Sequence, residues 1–387
     1  MTKRALCIGL LLLGWFYSSQ VIAQKKHISV RDSLDHAFDL SSYIIDANGF
    51  VPVPVIITEP ALGGFGGALA PVFIKKQKPI VKGDKVVPVP PDITVGFGMY
   101  TANNSWFAGA GRFGTIRKWG IRYRVFAGYG DINMSFYKTL PTVGEKEFEF
   151  NMKVVPVYLF AEKQIGISNW FAGMQYIYGH TKLALRNNDK LPDWVTDKEV
   201  SSNVSELGAV IEYDSRDNIF TPDKGLKAHA HFNVSNSIFG SDYNYERLNS
   251  FMYWYQPLAE NKATGKNWIS GLRFDYQNVF GNAPFYLLPF IDMRGIPSAR
   301  YQGKINALIE TEQRWDFTRR WSSVFFGGVG KAFNEFSDFG SADWVYSYGI
   351  GGRYLLARKL KLRVGVDLAR GPEKFAYYIV FGSSWIK

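Results

Sequence analysis

From Val51 to the end of the chain, apolar and polar positions alternate with a period of two, the pattern of strands that present one face to each of two environments. The runs predict strands near 51–58, 66–75, 93–102, 105–116, 120–138, 147–163, 169–185, 204–215, 225–236, 244–257, 267–279, 303–317, 321–334, 344–357, 360–370 and 375–386. Several separate their faces cleanly. Ile121, Tyr123, Val125, Ala127 and Tyr129 oppose Arg122, Arg124 and Gly128; Phe148, Phe150, Met152 and Val154 oppose Glu149, Asn151 and Lys153. Leu362, Val364, Val366 and Leu368 oppose Arg363, Gly365, Asp367 and Ala369. In 303–317, Leu308, Glu310, Glu312, Arg314 and Asp316 lie on one side, and Ala307, Ile309, Thr311, Gln313, Trp315 and Phe317 on the other. A strand charged on one face and mostly apolar on the other divides a wet space from an oily one.

The connections orient this pattern. Residues 117–120, 221–225, 318–321 and 357–360 are short turns, whereas 139–146, 186–203, 237–243, 280–302 and 335–343 are longer. Short periplasmic turns, long external loops and an even strand number are the habit of outer-membrane barrels. The expectation is an all-β, 16-stranded antiparallel transmembrane β-barrel over residues 50–387, with 75–92 as one long basic periplasmic loop. Pro52 and Pro54 suit only an edge or a strand start. The last strand is expected to place Phe375, Tyr377, Ile379, Phe381 and Trp385 on one face.

Ahead of the strands, Lys3 and Arg4 precede an apolar run over 5–16 and Val-Ile-Ala at 21–23, the layout of a signal peptide over 1–23. The lone cysteine, Cys7, lies in that segment, so disulfides are not expected to staple the mature chain. Residues 24–49 are expected to form a short periplasmic segment with a helix near 30–43, Asp32, Asp35 and Asp39 making its polar face. Docking at the barrel mouth and a loose tether are both open for it.

Composition agrees with one oily and one wet face. Aromatic residues make up 16%, no later stretch is long and apolar enough for a membrane helix, and mean hydropathy is −0.11. The formal charge is +11, from 45 Lys and Arg against 34 Asp and Glu, and is spread through turns and one strand face. That distribution fits anionic head groups better than nucleic acid, so outer-membrane lipid and lipopolysaccharide are the expected partners.

Candidate chemistry is sparse. His229 and His231 share a strand face at a spacing that can hold a metal, but lack a clear third ligand. Gly327-Gly328-Val329-Gly330 sits within a strand with no helix after it, unlike a phosphate cradle. With no nucleophile–base constellation, neither an enzyme nor a cofactor is expected.

Asp214-Ser215-Arg216-Asp217-Asn218, followed by Pro222-Asp223-Lys224-Gly225, resembles the D-x-R-D-N … P-x-x-G strand-and-turn signature of the bacterial surface antigen family, which belongs to the BamA/TamA-type superfamily of outer-membrane insertases and translocases. Met293-Arg294-Gly295-Ile296 resembles the V-R-G-F/Y tip of that family's sixth external loop, and Glu312-Gln313-Arg314 the E-x-R of the following strand. The resemblance implies a loop folded into the lumen and locked by Arg294, Gly295, Glu310, Glu312 and Arg314. An acid expected in an F-x-D-x-G pattern is absent, because the matching residues are Phe326-Gly327-Gly328-Val329-Gly330, which directs Arg294 to Glu310 or Glu312. Family insertases usually carry periplasmic polypeptide-binding modules. Residues 24–49 are too few for one, so capture by such modules is not expected unless a separate periplasmic subunit supplies it. The implied function is insertion or translocation of protein or lipid at the outer membrane; the alternative is a plugged or passive pore or structural barrel.

Overall fold

The computed structural model describes residues 29–46, 49–77, 80–82, 85–87, 91–140, 142–186, 191–261 and 263–385. The expected signal segment over 1–23 lies outside the described residues. Sixteen antiparallel strands follow one another in a single sheet. They are β1 (Gly49–Ile57), β2 (Gly66–Lys75), β3 (Asp92–Thr101), β4 (Trp106–Ile116), β5 (Ile121–Leu140) and β6 (Gly144–Gln164). Next come β7 (Trp170–Leu185), β8 (Ser201–Asp214), β9 (Gly225–Ser235), β10 (Tyr245–Asn261) and β11 (Lys266–Gly281). β12 (Ile305–Asp316), β13 (Trp321–Phe333), β14 (Val345–Ala357), β15 (Leu362–Arg370) and β16 (Phe375–Phe381) complete the set. A separate short hairpin, Ile80–Lys82 with Lys85–Val87, stands in the long connection between β2 and β3.

The sheet curls into a nearly closed barrel. Trp385, beyond β16, packs against Tyr253 and Tyr255 of β10. Arg300, between β11 and β12, reaches both Glu145 of β6 and Glu373 after β15. A flat sheet could not bring these strands together. Among the described residues β1 and β16 do not pair, so one seam runs the height of the wall.

Prolines explain part of that seam. Pro52 faces Pro71 of β2, and neither has an N–H to exchange, so the pair belongs to the non-hydrogen-bonded class and its nitrogens point away from each other. Pro71 therefore points toward β3, where pairing skips Ala70 and Pro71. Pro52, and Pro54 two residues on, point toward the seam and remove two ladder donors from it.

Side-chain polarity sorts by height as well as by face. On β12, Glu310 and Arg314 are 3% and 6% exposed, against 45% and 53% for the outward Ile309 and Trp315. Outward aromatics gather toward both rims, as in the Trp170–Tyr213 and Trp321–Tyr354 contacts at the turn end and Trp106–Tyr129 at the loop end. Beyond Tyr129 the polarity inverts. Asp131 and Asn133 take the outer face of β5, with Asn151 of β6 hydrogen-bonded to both. Phe136, Phe148, Phe150 and Met152 turn inward instead, onto Phe285 and Trp194 from the loops. The apolar-out, polar-in arrangement thus holds for the lower wall and reverses in this upper extension, where packed loops fill the bore. For the same reason 139–146 is not a long loop, since β5 and β6 continue as a hairpin paired up to Leu140 and Gly144.

The expected helix over 30–43 is replaced by a turn bridged between Arg31 and Phe38 and a short helix, α1 (Ser41–Asp46). Its three aspartates bind Arg320 and Arg358 on the turn rim, an attraction stronger than the local preference for a helix. The described part of the segment is docked, with Leu40 N donating to Leu356 O at 2.8 Å and Tyr354 Oη to Phe38 O at 2.7 Å.

Two expectations follow. Phe150→Ala, at a fully buried inward site, should cost about 3–5 kcal/mol in denaturant unfolding of the detergent-solubilised barrel, whereas the outward Lys153→Ala should change it by under about 0.5 kcal/mol; equal costs would mean the faces are misassigned. Asp32 and Asp35 titrate below their ordinary value, held down chiefly by hydrogen bonds from Arg358 and Arg320 respectively. A depressed folded-state pKa stabilises docking above the ordinary carboxylate value and loses that contribution as pH falls through the lower one. Amides of 29–46 should therefore stay protected from exchange at about pH 5 and open only in acid below about pH 4.

Candidate functional site

The connection between β11 and β12 turns back into the bore instead of standing above it. Ile291 N donates to Tyr301 O at 3.0 Å and Gly303 N to Pro289 O at 3.1 Å, closing the loop into a narrow finger. Ile291, Met293 and Ile296 are buried against Leu308 and Val345, which anchors the finger by apolar contact. At its tip Gly295 has φ +87°, and a Cβ there would lie 2.8 Å from Gly371 N, so only glycine fits.

Arg294 is 9% exposed and lies among three carboxylates. Its Nη2 is 2.7 Å from Glu310 Oε1; its Nη1 is 2.9 Å from Glu312 Oε2 and 2.7 Å from Asp367 Oδ2. The guanidinium carbon stands 3.5 Å from the centre of the Phe326 ring. Ser347 Oγ donates to the Arg294 carbonyl, and Gly295 N donates to Tyr378 Oη at 2.8 Å. The tip is thus tied to β12, β13, β14, β15 and β16.

The network continues past the finger. Arg273 of β11 is 3.1 Å from Glu310 and 2.6 Å from Asp275, and Arg353 of β14 closes on the other side of Asp367. A buried guanidinium needs such surroundings, because desolvation otherwise outweighs any single ion pair.

Sequence reasoning placed Glu310 and Glu312 near Arg294 and did not single out Asp367, although alternation in 360–370 already put Asp367 opposite the apolar face of its strand. Gly328, where the family pattern has its acid, lies under the finger: a Cβ there would be 2.9 Å from Met293 Sδ. The carboxylate is supplied from β15 instead, while Phe326 keeps its contact with the arginine.

Arg314 needs a correction, since it does not touch the finger. Its Nε donates to Asp316 at 3.1 Å and its Nη1 to Pro222 O at 3.4 Å, and Asp223 closes on its Nη2. It holds the turn between β8 and β9 against the wall. That turn is built by its own motif: Asp214 accepts a two-pronged bond from Arg216 at 2.8 and 2.9 Å, and Asp217 accepts from Asp223 N at 2.9 Å. Asn218 Oδ1 accepts from Phe220 N and Thr221 N, and Gly225, at φ +111°, passes so close to Ser215 O that a Cβ would be 2.4 Å away. β12 therefore links finger and turn, Glu310 and Glu312 serving one and Arg314 the other.

The tail also departs from expectation. β16 stops at Phe381, and Gly382, at φ +79°, turns the chain inward. Trp385, expected on one face with Phe375 and Phe381, which are exposed, is instead 2% exposed in the bore, where its Nε1 donates to Glu310 Oε2 at 2.9 Å. Ser384 Oγ donates to Glu312 Oε2 at 2.8 Å. Loop tip and chain tail therefore share the same two glutamates.

His229 lies between Glu212, at 3.1 Å from its Nδ1, and His231, at 3.2 Å from its Nε2, with its ring stacked on Phe251. These contacts account for both imidazoles as wall hydrogen-bonding groups.

Arg294→Ala should leave three buried carboxylates without their shared cation and cost about 3–5 kcal/mol of stability. Protease should then cut within 282–304, and unchanged stability and cleavage would show that the finger is held by its apolar contacts alone.

No family model and no curated protein matches this sequence. Among solved structures the chain is similar to BamA from Haemophilus ducreyi lacking POTRA domains 1–3, with a TM-score of 0.58 and 13% identity over 87% of this chain and 70% of that one. At that identity the likeness speaks for the fold, and the chain has a BamA-like barrel fold.

Proposed function

We propose that this chain is an outer-membrane barrel of BamA/TamA-like type that assists insertion or translocation of protein or lipid, acting at the seam between β1 and β16. The observation that carries the reading is the unpaired line in a wall otherwise laddered throughout. An edge strand with free backbone groups is a template for another strand. At this seam the two proline nitrogens weaken closure, and β16 offers only seven paired residues to its neighbour.

The outward apolar side chains at the seam, among them Phe50 and Ile56 on β1 and Phe375 and Phe381 on β16, would face lipid. Parting the strands would put a polar lumen, a free strand edge and hydrocarbon side by side, which is the setting an entering strand requires. The outer membrane and its lipopolysaccharide are the surroundings we assign to the barrel, and a separate periplasmic subunit the partner. Co-purification from native membranes tests that partner.

The passive-pore alternative fits less well with a finger, a salt-bridge network and a tryptophan lodged in the bore. Cysteine pairs placed across Gly49–Ile57 and Phe375–Phe381, oxidised in liposomes, should abolish assembly of a small barrel substrate, and reduction should restore it. Full activity with the seam covalently locked would reject this function, and large steady conductance in planar bilayers would favour the pore.

A further inference from the structure

We propose that two arginine–carboxylate clamps, one at each rim, hold the seam shut in place of a backbone ladder. This rests on reading the β1–β16 line as the working site.

At the loop rim the clamp is Arg300, six residues beyond the pinned Arg294. Its Nε donates to Glu373 Oε1 at 2.6 Å, and its Nη1 and Nη2 donate to the two oxygens of Glu145, each at 2.8 Å. Glu373 belongs to the turn joining β15 and β16, on one side of the seam. Glu145 opens β6, reached from the other side through β1 to β5. Ser298 N adds a bond of 3.1 Å to Glu59, in the turn between β1 and β2. One short stretch of the finger therefore holds both lips.

At the turn rim the clamp is the segment that leads into β1. Arg320, between β12 and β13, meets Asp32, Asp35 and Asp39 at 2.5, 2.7 and 2.7 Å. Arg358, between β14 and β15, also binds Asp32, and its backbone N donates to Asp39 at 2.9 Å. The chain passes from these anchors through α1 to Gly49, the first residue of β1. It thus ties the start of β1 to strands on the far side of β16. None of these residues takes part in the Arg294 pin.

The clamps differ in their access to water. Glu145 and Glu373 side chains are 49% and 39% exposed, whereas Asp32 and Asp39 are 3% and 4% exposed. Salt screens exposed charges far more than buried ones, so the loop rim is the lip that loosens first.

The test is pulsed electron paramagnetic resonance on spin-labelled protein in liposomes, in a Cys7→Ser background. One pair, Ile57→Cys with Ala376→Cys, reads the loop rim; the other, Val51→Cys with Phe381→Cys, reads the turn rim. The parent should give one narrow distance for each pair. Arg300→Gln should lengthen the loop-rim distance by at least about one strand spacing, roughly 5 Å, and leave the turn-rim distance alone; Arg320→Gln should do the reverse. About 1 M salt should reproduce the first effect and not the second. Should either arginine variant fail to give a folded, heat-modifiable band, Glu373→Gln and Asp35→Asn read the same two rims. Parental distances at both rims in the folded variants overturn the clamps. The outcome is independent of whether a locked seam retains activity, so the clamps and the function can fail separately.

Discussion

A single guanidinium organises the interior of this barrel. Burying an arginine costs several kcal/mol unless its donors meet acceptors, and Arg294 meets Glu310, Glu312 and Asp367 together with the face of Phe326. To reach them, the β11–β12 connection has to enter the bore, and its apolar residues then have to pack on β12 and β14. The glutamates that hold it also receive the chain tail, through Trp385 and Ser384. Loop, last strand and the strands between them are therefore coupled through shared hydrogen-bond acceptors, and a change at one alters the acceptors left to the others.

The wall around this network has two chemical zones. In the lower wall, apolar side chains face out and charged ones face in. Above Tyr129 on β5 the arrangement is reversed, with Asp131, Asn133 and Asn151 outward and a cluster around Phe150 and Phe285 inward. At the height of this switch the loops pack into the bore. Among the described residues, the unpaired line in the wall is the one between its first and last strands.

That weakness has a chemical origin in two imino acids. Pro52 and Pro54 take two donors from the edge of β1 that would meet β16, so side chains have to supply part of what holds the lips together. Rim clamps of the kind proposed here allow a seam that is closed at rest and separable without breaking a strand ladder, which is the compromise a lateral gate requires.

The period of two determined most of this architecture. It set the number of strands, placed nearly every strand within a few residues, and put Glu310, Glu312 and Asp367 on a common face. Alternation distinguishes two faces without saying which is inside, so the reversal in β5 and β6 emerged only when the loops were seen to fill the upper bore. Local pattern also could not reveal distant partners. Asp32, Asp35 and Asp39 have the spacing of a helix face, yet Arg320 and Arg358, 281 to 326 residues away, draw them into a turn. The apparent strand through Trp385 ends because Gly382 can adopt a left-handed conformation and Glu310 inside accepts the indole N–H on the oxygen it also offers to Arg273. The choice of Asp367 over the family's usual acid, with Gly328 yielding space to Met293, was likewise decided by which strands the closed cylinder brings around one cation.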